Sequence, residues 1–258
     1  MATALVTGAS EGIGRALAAE FGRNGHDLIL VARREDALAD AAAAIEADHG
    51  VTADAIPQDL ASREGRDSLL EAVADRRIDY LVNNVGIGTH GTFTETDLER
   101  ELDTLQLNVA TPVHLTHQLA DPMRKRGTGG VLNVASSAAF QPGPYMAGYY
   151  ASKRYLLSFS QGLYEEFAGD GVVVTALCPG MVDTSFQAKA GNEEALIGSP
   201  TRFPRWLSAE TVARAGYDGL MDGQAVVVPG VEYKLLRFVS GLAPSTLSRK
   251  VAKRANRD

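Results

Sequence analysis

The chain has 258 residues, 45% of them hydrophobic, which is enough to bury one substantial core. Acidic residues outnumber basic ones by 32 to 25, so the net charge of −7 argues against a nucleic-acid binder, which would carry a basic face. Cys178 is the single cysteine, which excludes an intramolecular disulfide framework and a cysteine metal cluster. Thr3–Thr7 (T-A-L-V-T) reads as a short buried strand. No charged-then-apolar leader precedes it, and no apolar run reaches membrane-span length, so the expectation is a soluble cytoplasmic protein without nucleic-acid partners.

Strand-like and helix-like segments then alternate. An apolar-periodic helix covers residues 16–21, and Asp27–Ala32 is a second strand. Residues 36–49 are alanine-rich and helical, 51–57 form a third strand, and 62–75 a helix. A fourth strand at 78–82 leads to a long helical stretch over 98–123. A fifth strand at 131–135 precedes a helix over 149–168, and Val172–Leu177 and 225–228 are the sixth and seventh strands. This alternation predicts one α/β domain over residues 1–258, a doubly wound seven-stranded parallel sheet with helices on both faces. Ligands of such sheets sit at the carboxyl ends of the strands.

The residues placed there carry chemistry. Gly8, Gly12 and Gly14 lie between a strand and a helix, the start of a dinucleotide-binding βαβ unit. Glycines admit the pyrophosphate to the backbone, and the helix N-terminus offers it N–H groups. The second strand ends Ala32-Arg33-Arg34, with no acid for a ribose 2′-hydroxyl. A guanidinium there suits a 2′-phosphate, so NADP(H) is expected over NAD, with Glu11 in the glycine turn as a counter-signal. Tyr149 and Lys153 are one helical turn apart on one face. A phenol titrates near pH 10, and a neighbouring ammonium favours the phenolate, so Lys153 is expected to lower the Tyr149 pKa. Tyr150 is the alternative acid, and Ser137 the alternative to Ser136 for holding a carbonyl oxygen. Asn108 is a polar amide in an apolar helical pattern and needs partners. His114 and His117 lack a third ligand at metal spacing, and the chemistry needs no metal.

Together these stretches resemble the short-chain dehydrogenase/reductase family over nearly the whole chain. They are T-G-A-S-E-G-I-G (7–14), Asp59-Leu60, N-N-V-G (83–86), Asn108, Ser136, Tyr149 with Lys153, and P-G-M-V-D-T (179–184). Val85 stands where the family usually has alanine. Residues 140–153 are similar to a branch of broad carbonyl and β-ketoacyl reductases. The resemblance implies a Rossmann-type fold with Asn108, Ser136, Tyr149 and Lys153 as catalytic residues. It also implies a helix opened at Asn108, and a water-linked proton path from there to Lys153. It places NADP(H) against Gly8, Ser10, Glu11, Gly12, Ile13, Gly14, Arg33, Arg34, Asp59, Leu60, Asn84 and Gly86. Lys153, Pro179, Gly180, Val182 and Thr184 complete that set. Asp59 would lie beside the adenine; its alternative is a helix cap.

The implied activity is NADPH-dependent reduction of a hydrophobic ketone or aldehyde to an alcohol. The alternatives are an NAD-linked alcohol dehydrogenase working oxidatively, and a catalytically silent cofactor-binding regulatory protein. Residues 183–208 lack periodicity and carry Phe186, Leu196, Ile197, Phe203 and Trp206, which suggests a lid over a hydrophobic substrate. Phe140 and Tyr145 are further expected substrate contacts, beside Phe186, Phe203 and Trp206. Residues 231–256 form a helical extension with an apolar stripe and a basic end. It is expected to pack on the body or on a second subunit of a homodimer or homotetramer, rather than on a membrane.

Overall fold

The computed structural model describes residues 1–186, 190, 191, 206–242 and 253, with the side chains of 236, 237 and 239–242 left aside. Seven strands form one parallel sheet in the order β3-β2-β1-β4-β5-β6-β7. They are β1 (Thr3–Thr7), β2 (Asp27–Ala32), β3 (Ala53–Pro57), β4 (Tyr80–Asn83), β5 (Gly129–Val134), β6 (Val172–Leu177) and β7 (Val226–Val227). The helices are α1 (Gly12–Arg23), α2 (Glu35–His49), α3 (Arg63–Ala72), α4 (Leu98–Leu105), α5 (Thr111–Arg126), α6 (Ala147–Phe167), α7 (Ala209–Met221) and α8 (Val231–Leu242). The fold is a doubly wound, Rossmann-type α/β domain.

The strands read as unbroken apolar runs because helices cover both faces. Alternate residues go opposite ways. Ala4, Val6, Leu28, Leu30, Val82, Leu132 and Leu177 enter a core with Leu17 and Phe21 of α1 and Leu220 of α7. Leu5, Ile29, Leu81, Val131 and Val174 enter the opposite core with Leu69 of α3 and Leu115 of α5. Each fully buried Leu or Ile contributes about 1.5–3 kcal/mol. The chain order reverses between β1 and β4, which leaves a crevice above their carboxyl ends.

Two elements differ from what periodicity alone predicts, the first being the opening at Asn108 that the family resemblance implies. The helical stretch over 98–123 is broken by a π turn, Gln106–Ala110. Pro112 has no N–H to give the Asn108 carbonyl, so the regular helical bond there cannot form. The backbone widens, and the Thr111 N–H bonds the Gln106 carbonyl instead. The second difference is α7, which periodicity did not mark. It is capped by Ser208, whose hydroxyl accepts the Thr211 N–H at 3.2 Å. Gly216 and Gly219 weaken its helical signal by about 1 kcal/mol each relative to alanine. The packing requires them: a Cβ at Gly216 would lie 2.7 Å from Leu177 Cδ2, and one at Gly219 2.1 Å from Val227 Cγ2.

Candidate active site

A cavity of about 720 Å³ opens over the carboxyl ends of the strands. One end is the β1–α1 turn. Gly8 sits at φ +68, a left-handed conformation natural to glycine. A Cβ at Gly14 would fall 2.1 Å from the Gly8 carbonyl oxygen, so only glycine lets α1 begin this close to the turn. Asn84 Nδ2 donates to the Thr7 and Gly8 carbonyls at 3.0 and 3.2 Å. Thr7 Oγ1 accepts the N–H groups of Asn84 and Val85 at 3.0 and 3.1 Å. These bonds fix the glycine turn to the end of β4. Val85 lines the cavity while packing against the α5 side of the sheet.

Ser10, Glu11, Gly12, Ile13, Gly14, Arg33, Arg34, Asp59, Leu60, Gly86, Pro179, Gly180, Val182 and Thr184 all line this cavity, as Gly8 and Asn84 do. Arg34 Nη2 donates to Glu11 Oε2 at 2.8 Å across the lip, so the expected counter-signal is paired with a cation. Asp59 Oδ1 accepts the Ala61 N–H at 3.0 Å, holding its own turn. The cap of α3 is Ser62, which accepts from Gly65 N, so Asp59 is not that cap. A cradle of backbone N–H groups at a helix start, with no Cβ in the way and Arg33 at the lip, fits a dinucleotide phosphate chain.

The other end is buried. Tyr149 and Ser136 both line this end, and Ser136 Oγ accepts the Ala138 N–H at 3.1 Å. Lys153 Nζ donates to the Val134 carbonyl at 2.9 Å. Asn108 Oδ1 accepts the Ile87 N–H at 3.0 Å, and its Nδ2 donates to the Ile87 carbonyl and Ser152 Oγ at 2.9 and 3.0 Å. Ser152 Oγ in turn donates to the Tyr149 carbonyl at 2.7 Å. Gly86 lies in the middle, where a Cβ would be 2.9 Å from Asn108 Oδ1 and 3.3 Å from Lys153 Nζ. The four expected catalytic residues are therefore brought together.

Their electrostatics correct one expectation. Burial pushes the Tyr149 phenol up to about 12, against a lowering by the Ser136 hydrogen bond. Burial also pulls Lys153 down to about 8. Lys153 Nζ lies 5.8 Å from the centre of the Tyr149 ring, and its ammonium does not bring the phenol below its ordinary value here. Desolvation of two neighbouring groups outweighs their mutual effect.

The substrate-side expectations divide. Phe140 and Phe186 line the cavity. The Phe186 ring is 5.3 Å from that of Tyr149. Tyr145 is not among the lining residues. It sits at φ +68, and its carbonyl accepts the Gly91 N–H at 2.9 Å, so it braces the wall instead. Trp206 is half-buried and also outside the lining, beside the Val182–Leu207 bridge. Phe203, Leu196 and Ile197 lie outside the described residues. Tyr150 lines the cavity, with its ring against Gly143, where a Cβ would meet it at 2.1 Å. Ser137 also lines the cavity, because the chain leaves β5 for a 3-10 turn and strand alternation ends.

Ser152 and Tyr233 are among the site residues that the sequence did not mark. Ser152 links Asn108 to the Tyr149 backbone; its place beside Lys153 was the available signal. Tyr233 of α8 lines the cavity, and its hydroxyl accepts the Met181 N–H at 2.8 Å. Its ring fills the space left by Gly180, where a Cβ would meet it at 1.9 Å. No local spacing marks it. Among the described residues no group of His, Cys, Asp and Glu is arranged to hold a metal, and no helix is long and apolar enough to cross a membrane.

The family model described as short chain dehydrogenase matches residues 2–195. An inactive hydroxysteroid dehydrogenase-like protein 1 from Homo sapiens is 35% identical over 190 residues, 72% of this chain and 57% of that one. The chain thus spans little more than half the length of that relative. A putative ketoacyl reductase from Streptomyces coelicolor is 36% identical over 189 residues, 72% of each chain. A short-chain dehydrogenase from Sphingobium yanoikuyae, solved in complex with NADPH, superimposes with a TM-score of 0.83 at 30% identity, covering 94% of this chain and 95% of that one. With its fold, glycine turn and Ser–Tyr–Lys–Asn cluster, the chain belongs to the short-chain dehydrogenase family of oxidoreductases.

Proposed function

We propose that the chain is an NADPH-dependent reductase of a hydrophobic ketone or aldehyde, with Tyr149 as the proton donor. The observation that carries this reading is the set Ser136, buried Tyr149 and buried Lys153 at one end of a cavity whose other end is a phosphate cradle. NADPH bound along that cavity supplies the hydride. Ser136 and Tyr149 present two hydroxyls to one carbonyl oxygen. With its pKa at about 12, Tyr149 stays protonated at neutral pH and enters the reaction as an acid. Lys153 is held by the Val134 carbonyl and, when protonated, stabilises the phenolate that forms. Asn108 and Ser152 position the helix that carries both. The intact cluster favours catalysis over the silent-protein reading, even though the human relative is called inactive. Phe140, Met146 and Phe186 give the carbonyl end apolar walls, which supports a hydrophobic substrate; most of the segment expected as a lid, residues 187–189 and 192–205, lies outside the described residues.

Replacing Tyr149 by Phe keeps the ring and removes the hydroxyl. Carbonyl reduction should fall by at least the roughly 10²-fold typical of a lost general acid, while NADPH binding persists. Near-normal turnover in Tyr149→Phe together with loss in Tyr150→Phe would move the role by one residue.

Wild-type protein should turn over faster with NADPH than with NADH. Ala32→Asp should reverse that order by setting an anion against the 2′-phosphate. Equal or better wild-type turnover with NADH contradicts the NADPH assignment.

Reduction needs Lys153 protonated, and its pKa in the free protein is about 8. A group with a lowered cationic pKa loses its proton early as pH rises. Hence kcat/KM for reduction should be level below about pH 7 and decline through about pH 8. A profile flat to pH 10 removes Lys153 from the proton step.

Phe186→Ala should cost bulky ketones about tenfold more than small ones, the scale of one buried aromatic contact. A uniform loss across a ketone panel graded by size rejects a direct substrate contact.

A further inference from the structure

Of the three acids of α4, Glu99 and Asp103 are exposed and Glu101 is buried. Leu98, Leu102 and Leu105 of the same helix stay exposed, so apolar burial alone does not explain which face is turned inward. Thr89 Oγ1 donates to Glu101 Oε1 at 2.6 Å, the separation of a charge-assisted bond. Thr96 Oγ1 lies 3.1 Å from the same oxygen, its single proton shared with the Phe93 carbonyl at 2.9 Å. The other oxygen, Oε2, lies against Gly148, the second residue of α6, where a Cβ would collide with it. No acid of α6 occupies its own first turn, and a negative group at a helix N-terminus is favoured by the helix dipole. One side chain thus spans the loop after β4 and the start of the helix that bears Tyr149. The same loop reaches the Tyr149 ring, since a Cβ at Gly88 would be 3.3 Å from Tyr149 Cδ2. The Gly91 N–H, bonded to the Tyr145 carbonyl at 2.9 Å, is a second tie between loop and helix start.

We propose that Glu101 is a positioning residue for Tyr149. It acts through Gly148, the residue before Tyr149, and through the hydroxyls of Thr89 and Thr96. Between them it holds the phenol in place for the carbonyl oxygen. This rests on the donor role given to Tyr149 above. Burying a carboxyl group is costly, and no step of the reduction uses this one. Its seat against the first turn of α6 accounts for its presence.

The test uses the full chain and two readouts, kcat for ketone reduction with NADPH and amide hydrogen exchange over residues 147–153. Glu101→Ala should lower kcat by about 10²-fold, the cost of a misplacement of about 1 Å. It should also speed exchange over 147–153, because the helix start loses its tie. NADPH binding, read from the fluorescence of the reduced nicotinamide, should stay within about twofold of wild type, as expected of distant sites. Glu101→Gln keeps an acceptor oxygen for both threonines, so its kcat should stay within about fivefold of wild type, the scale of one charge at a helix terminus. Gly148→Ala leaves the carboxyl group in place but pushes Oε2 away, and alanine is itself the better helix residue. It should lower kcat about tenfold in the wild-type background and less than about twofold beside Glu101→Ala, because the two changes remove one contact. Melting curves show whether each variant is folded. Should Glu101→Ala not fold, Gly148→Ala decides alone, and a kcat within about twofold of wild type overturns the proposal. Unchanged exchange over 147–153 in Glu101→Ala overturns it, as do equal losses from Gly148→Ala in both backgrounds. A fall in kcat matched by an equal weakening of NADPH binding marks general damage and overturns it too. Full turnover by Tyr149→Phe is a different failure, that of the donor role, and the exchange readout, which needs no turnover, separates the two.

Discussion

The Asn108 side chain is the tie on which the catalytic geometry depends. One amide holds both main-chain groups of Ile87 and the hydroxyl of Ser152. It therefore joins the end of β4, the π turn and the helix bearing Tyr149 and Lys153. Asn108 lies 21 residues from Ile87 and 44 from Ser152 in sequence. The amide is buried, so its bonds compete with no solvent, and each buried group left unpaired would cost about 1–3 kcal/mol. The π turn is what allows it. In a regular helix, residue 108 would sit at a different angle to Ile87. Pro112 removes the regular bond, and the widened turn aims the amide at the β4 loop.

Gly86 belongs to the same constraint. Any side chain there would press on Asn108 Oδ1 and Lys153 Nζ together. The glycine turn after β1 obeys a similar rule, since a Cβ at Gly14 would meet the Gly8 carbonyl. Both ends of the cavity thus rely on missing side chains to bring polar groups near a ligand. Asn84 connects the two ends, with its amide on the β1 turn and its backbone in the β4 loop.

Much of this was legible in the sequence, for a physical reason. Strands buried on both faces are unbroken apolar runs, so Asp27–Ala32 and Val172–Leu177 stand out residue for residue. Glycines and polar residues that fall at strand ends mark the ligand side, as Gly8, Asn84 and Ser136 do. What sequence hid was decided by tertiary packing. Gly216 and Gly219 look like poor helix residues until Leu177 and Val227 occupy the space beside them. Tyr233 joins the site because Gly180 leaves room for its ring. Tyr145 and Trp206 are aromatic and near the right segments, yet neither is among the residues that line the cavity. The pKa of Tyr149 was misjudged for a related reason. Helical spacing gives the distance to Lys153 but says nothing of burial, and burial dominates.

That burial sets the terms of the chemistry. A phenol and an amine placed in an apolar pocket are both pushed toward their neutral forms, Tyr149 to about 12 and Lys153 to about 8. The same low polarity strengthens any hydrogen bond made within the pocket. In the proposed reduction, a carbonyl oxygen held by Ser136 and Tyr149 would be gripped more tightly as negative charge develops on it, which is the condition for lowering a barrier rather than merely binding. The Phe186 ring packs 5.3 Å from that of buried Tyr149 and adds to these apolar surroundings. Opening that contact would make the phenol easier to ionise in the resting protein. Apolar walls and a high resting pKa are thus two consequences of one arrangement, and neither can be tuned without the other.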